Sequence, residues 1–170
     1  MLDINSIDST DSLLNQRLHI KKKYTNQELL LHHYFYKCCK VYPKNIILIS
    51  NFVFFFVNSR DYFNAKISLP LMRRQLQVKK LLIIREEKTL LRLLYNFFPD
   101  PYVHDIQVHR NVYSGKKEII VGFLSFVERG IAIGCRGEYI KAVNILFEKN
   151  VSFGENKGFQ VNIKCEVLKL

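Results

Sequence analysis

The chain has 170 residues, 48% of them hydrophobic, which is enough apolar material for one packed domain plus an extension and excludes global disorder. It carries 26 Lys and Arg against 15 Asp and Glu, a formal net charge of +11. A charge of that size on so short a chain favours a polyanionic partner, nucleic acid or an anionic membrane.

In chain order, "MLDINSIDSTDSLLNQ" is polar and acidic, without the character of a secretory or transit leader. Residues 1–24 read as an arm ending in Lys21, Lys22 and Lys23. Thr25 and Glu28 spell a capping box, T-x-x-E, which predicts a helix over about 26–41, stopped ahead of Pro43. "NIILISNFVFFFV", 45–57, is the most apolar run. It falls short of the ~18–20 residues a bilayer span requires and Asn51 interrupts it. It is expected to be a buried strand, a core helix or a docking surface for a neighbour, not a membrane span. "NSRDYFNAK", 58–66, and Pro70 read as a connection. "LMRRQLQVKK", 71–80, crowds Arg73, Arg74, Lys79 and Lys80 into a basic connection suited to phosphate contact. Such contacts position a nucleic acid without reading its bases. Residues 1–79 are thus expected to form a largely helical extension.

From about residue 82 the pattern sharpens. "IIREEKTLLRLLYNFF" has apolar residues at Leu90, Leu91, Leu94 and Phe97–Phe98, a helical spacing, and Pro99-Asp100-Pro101 ends it. Ile106 and Val108 stand two apart, a strand signal. "SGKK", 114–117, is a hairpin turn, and "EIIVGFLSF" is a second strand, apolar on both faces. A helix over about 138–149 carries Ile140, Val143, Leu146 and Phe147 on one face. "FQVNIKCEVLK" alternates as a half-buried strand. No internal repeat is visible in the residues.

Between the second strand and the last helix lies "RGIAIGCRGEYI", 129–140. Gly134 and Gly137 bracket Cys135 and Arg136. Without side chains, the two glycines let a backbone approach a sugar-phosphate and adopt positive φ. The helix that follows directs free N–H groups and its positive dipole end at the same place. Arg136 adds a mobile cation, Arg129 and Lys141 flank the loop, and Ile131 and Ile133 are placed to anchor it to the core.

The order helix, strand, strand, I-G-x-x-G, helix, strand resembles the type II KH domain, an α+β fold in which a three-stranded sheet is backed by helices and a GXXG loop clamps nucleic-acid backbone. Within KH proteins, "LIIREEKTLLRLLYNF", "IQVHRN", "KEIIVGFLSFVERGIAIGCRGEYIKAV" and "VNIKCEV" are similar in order and spacing to the N-terminal half of the small-subunit ribosomal protein S-three family. Gly130, Ile133, Gly134, Gly137 and Ile140 match that family's G-x-x-I-G-x-x-G-x-x-I run. The resemblance covers about residues 80–170, leaving 1–79 as a lineage-specific extension. It implies small-subunit rRNA and head proteins of the S-ten and S-fourteen type as partners. The family's glycine-glutamine-lysine motif and its C-terminal domain are absent, so either the copy is truncated or a separately encoded C-terminal part is a further expected partner. Cys135 stands where a basic residue is often found, leaving the loop one cation.

The cysteines, Cys38, Cys39, Cys135 and Cys165, form no C-x-x-C pair and the histidines no H-x-x-x-H. Neither a metal site nor another cofactor is indicated, and the thiols read as reduced and mostly buried. There is no G-x-x-x-x-G-K-[ST] loop, and Glu86, Glu87, Asp100, Asp105 and Glu128 form no acid–base pair, so an enzyme is not expected. Abundant Phe, Tyr, Ile, Asn and Lys with scarce Gly and Pro follow from AT-rich codons. The expectation is therefore a structural rRNA-binding component of the small-subunit head in mitochondrial translation, with a plastid as the alternative location. A stand-alone KH regulator binding single-stranded RNA is the alternative function.

Overall fold

The computed structural model describes residues 12–21, 23–154 and 161–169. Its principal elements are β1 (Leu18–Ile20), α1 (Asn26–Cys39), β2 (Asn45–Ile49), β3 (Phe52–Val57), α2 (Tyr62–Gln75), β4 (Lys80–Arg85), α3 (Leu90–Phe97), β5 (Asp105–Arg110), β6 (Lys117–Phe123), α4 (Phe126–Ile133), α5 (Glu138–Asn150), β7 (Val151–Phe153) and β8 (Val161–Val167). They are shared between two compact units. One, the inserted unit, is the continuous segment Ile20–Glu87. The other, the split unit, joins Met1–His19 to Lys88–Leu170. Each mixes helices with a small sheet, so the α+β class expected from the sequence holds.

In the inserted unit the capping box forms. The Glu28 N–H donates to the Thr25 hydroxyl at 3.3 Å, and the Thr25 N–H donates to the Glu28 carboxylate at 2.8 Å. The buried carboxylate also accepts the Leu48 N–H at 3.1 Å, so one side chain caps α1 and ties it to β2. The 45–57 run is a hairpin of β2 and β3 turning at Ser50 and Asn51, with Ser50 at a positive φ of 54°. Every residue of β3 is buried, which explains a run without polar alternation and corrects the idea of an exposed docking surface. Phe35 of α1 stacks on Phe55 at 4.5 Å between ring centroids. Ala65, Leu69 and Met72 bring one face of α2 onto the same core.

α2 occupies the stretch read as a connection. Pro70 lies inside it, where the ring removes a helical N–H. The buried residues at i, i+4 and i+7 hold the helix through that interruption. The basic stretch 71–80 is divided between the end of α2 and the start of β4. β4 lies parallel to β3, so residues 80–85 complete the inserted unit's sheet instead of opening the next helix. Among the described residues up to 79 the helices thus share the extension with strands, and the division between the units falls after Glu87 instead of after Lys79.

In the split unit, α3 starts only at Leu90 and buries Leu90, Leu93, Leu94 and Phe97. β5 and β6 pair antiparallel and β6 and β8 parallel. Ile106, Val108, Ile119, Val121, Phe123, Ile163 and Cys165 make the buried face of the sheet. Gln107, His109, Lys164 and Glu166 are exposed on the other, where Lys164 pairs with Glu118 at 2.9 Å. Leu13, Leu14 and Leu18 are buried and β1 pairs with β7, so the described part of the expected arm, residues 12–19, belongs to this unit's packing.

Each unit runs helix, two antiparallel strands, a helical crossover, and a third strand beside the second and parallel to it. The strand orders are β2-β3-β4 and β5-β6-β8. The backbone path repeats where the residues show no repeat, because the path depends on which positions are buried and not on their identity.

Candidate nucleic-acid interface

The glycine loop lies between α4 and α5 of the split unit. Ser125 caps α4 by accepting the Glu128 N–H at 3.2 Å. The helix runs through Gly130 to Ile133, a stretch the sequence reading left outside any helix. At Gly134 the backbone turns to φ 76°, and a Cβ there would sit 2.7 Å from the Cβ of Tyr139, so both conformation and space demand glycine. Arg136 (φ 53°) and Gly137 (φ 69°) are also left-handed. A Cβ on Gly137 would meet nothing within 4 Å. α5 then starts without a side-chain cap; the Gly137 N–H donates to the Gly134 carbonyl at 3.1 Å and the Glu138 N–H to the Cys135 carbonyl, which closes the turn.

Tyr139 anchors the loop from below. It is buried, and its hydroxyl donates to the carbonyl of Phe97; burial pushes its phenol far up from the ordinary value. This corrects one expected anchor, Ile131, while Ile133 is half-buried. Ile131 is 51% exposed, and Tyr139 with Ala132 does the packing. Cys135 and Arg136 are exposed. Leu124, just before α4, and Phe126 and Val127 in its first turn are exposed.

Of the flanking cations, Lys141 is exposed on the second turn of α5. Arg129 instead sends its Nε–H to the Cys165 carbonyl at 2.8 Å, tying α4 to β8. The remaining predicted contacts fall in the inserted unit. The Arg73 guanidinium donates to the Leu81 carbonyl at 3.1 Å, Arg74 is exposed at the end of α2, Lys79 is half-buried, and the Lys80 ammonium lies 5.1 Å from the Phe52 ring centroid. Lys21 and Lys23 are exposed, and Lys22 lies outside the described residues. The predicted residues are thus divided between two units, and only Gly134–Gly137 with Lys141 and Arg129 belong to the loop's own unit.

Charge is divided too, and unequally. The inserted unit has thirteen Lys and Arg against four Asp and Glu, a formal +9, while the split unit has thirteen against eleven, a formal +2. Arg60 and Lys66, both exposed, belong to this excess and escaped the sequence reading. Counting charge per domain exposes that excess.

Among the described residues no group of three or more His, Cys, Asp and Glu could hold a metal ion, and no helix is long and apolar enough to cross a membrane. The thiols are not uniformly buried: Cys165 is, Cys38 and Cys39 are half-buried, and Cys135 is exposed.

The chain thus falls in the class of α+β proteins made of two small sheet-and-helix units. No protein-family model and no curated protein matches its sequence. Among solved structures, the crystal structure of APE1850 is similar to it, with a TM-score of 0.60 at 21% identity over 84% of this chain and 100% of that one. That likeness is one of fold, and its coverage is larger than either unit alone, so it extends into both.

Proposed function

We propose that the chain binds single-stranded RNA, with the split unit acting as a type II KH domain. The observation that carries the reading is the path strand–strand–α4–Gly134-x-x-Gly137–α5–strand, with both glycines left-handed and an uncapped helix start behind them. In this reading the turn's side-chain-free backbone admits a phosphate close to the positive end of the α5 dipole, Arg136 adds a charge-assisted contact, and the exposed apolar side chains of α4 face the bases. No chemistry is performed on the RNA.

The test is binding of a fluorescent 12-nucleotide RNA to the full chain and to the Gly134→Asp, Gly137→Asp double variant. Two carboxylates at the turn repel phosphate, and the variant is expected to bind at least tenfold more weakly. Equal affinity would remove the loop from the binding surface.

A second reading places the chain in the head of an organellar small ribosomal subunit, against rRNA and S-ten- and S-fourteen-type proteins. The similarity of residues 80–170 to the S-three family and the net charge of +11 favour it. Cosedimentation with small subunits in a gradient is its expected behaviour. A chain found only in the free pool would leave the stand-alone reading.

A further inference from the structure

We propose that the inserted unit is a second RNA-contacting module, and that it supplies most of the electrostatic grip through the outer face of α2. This rests on the reading of the chain as an RNA binder. The unit follows the same path as the one bearing the glycine loop, and α2 occupies the place of that loop and α5, the crossover from the second strand to the third.

The means of contact must differ. All seven glycines of the chain lie between residues 115 and 158, so the inserted unit contains none. Where the split unit turns through Gly134 and Gly137, the inserted unit makes a single 3-10 turn, Ser59–Asp61, closed by the Asn58 side chain accepting the Arg60 N–H. A backbone cradle for phosphate cannot be built there, and recognition falls to side chains.

Those side chains are in place. The outer face of α2 and the turn before it present Arg60, Phe63, Lys66, Ile67, Leu71 and Arg74, all exposed. At helical spacing they interleave cations with apolar surface, the arrangement by which single strands are held without sequence preference. Phe63 is 66% exposed, and the Arg85 guanidinium lies 5.1 Å from its ring centroid, which steadies the ring without covering it. Asp61 is the only acidic residue between Glu28 and Glu86. The face therefore meets a polyanion with almost no opposing charge. A neutral apolar partner would leave the cations desolvated and unpaired.

The experiment compares four full-length chains by circular dichroism and then by binding of a fluorescent 12-nucleotide oligouridine from 50 to 200 mM salt. They are wild type, the loop double variant, the triple variant Arg60→Gln, Lys66→Gln, Arg74→Gln, and Phe63→Ala. Single strands release ~0.7 counterion per phosphate neutralised, so removing three contacts lowers the slope of log K against log salt by about 2. The wild type then loses roughly 20-fold more affinity than the triple variant across that salt range. Phe63→Ala is expected to weaken binding several-fold with the slope unchanged.

A folded triple variant with wild-type affinity and slope overturns the proposal, even if the loop variant loses binding as the KH reading requires. The converse result, loss in the triple variant alone, supports this module and overturns the loop. Absence of binding by wild type overturns both. If a 12-residue polyglutamate displaces the RNA as well as unlabelled RNA does, the face is a docking surface for acidic proteins and the proposal fails.

Discussion

At the scale of single residues, the two glycines of the loop are not equivalent. Gly134→Ala meets the Tyr139 Cβ as well as an unfavourable φ, while Gly137→Ala carries only the conformational cost, ~1–2 kcal/mol for a left-handed residue. Chemical denaturation is expected to place Gly134→Ala clearly below Gly137→Ala in stability. The sequence showed both as one motif, because a close approach to a residue five positions on leaves no mark in a G-x-x-G pattern. The cysteines separate in the same way. Burial pushes the Cys165 thiol up to about 12 from an ordinary 9.0, whereas Cys135 is exposed. Iodoacetamide at pH 8 should label Cys135 first and Cys165 only on unfolding. The native Cys165 keeps its proton where the unfolded chain gives it up. Its contribution is therefore complete below pH 9 and is lost as pH rises from 9 towards 12. A Cys165→Ala variant should show a shallower alkaline loss of stability than wild type over that window.

At the scale of elements, hydrophobic spacing located the helix at 26–39, the helix after the glycine loop and the last strand to within a few residues. It failed where local rules conflict. Pro70 interrupts the helical pattern in the sequence, yet Ala65, Leu69 and Met72 bury enough surface to carry α2 through it. Residues 82–85 joined a helical prediction because they precede leucines, although Ile83 and Ile84 are β-branched residues suited to a strand. Side chains that bridge elements were not legible at all. Asn144 of α5 is one: its Oδ1 accepts the Ile163 N–H at 2.7 Å and its Nδ2 donates to the Ile163 carbonyl at 2.9 Å. Asn144→Ala leaves both groups without that partner, at a cost of ~1–3 kcal/mol. Amide hydrogen exchange at Ile163 should quicken well beyond that of Ile119 on the central strand.

At the scale of the whole molecule, the chain order matters more than its length. The unit that bears the loop needs residues from both sides of the inserted one, since Leu13, Leu14 and Leu18 are buried in it and β1 pairs with β7. A chain begun at residue 80, the boundary that the sequence pattern suggested, would lose those side chains and carry β4 without its sheet. Such a fragment is expected to show poor dispersion in an amide proton spectrum and a broad, weakly cooperative denaturation. Dispersed signals and a sharp transition would show that residues 12–19 are dispensable. The discontinuity was invisible in the sequence because the residues that close the unit are ordinary leucines ~70 positions from the rest of it.

Of the outer strands of the two three-stranded sheets, β2, β4 and β8 have helical side chains on their backbone groups. Glu28 takes the Leu48 N–H of β2, Arg73 the Leu81 carbonyl of β4, Asn144 both groups of Ile163, and Arg129 the Cys165 carbonyl of β8. A partner seeking to extend either sheet at those stations must first displace an internal hydrogen bond. Recruitment by strand addition and edge-to-edge self-assembly are disfavoured at those stations of β2, β4 and β8.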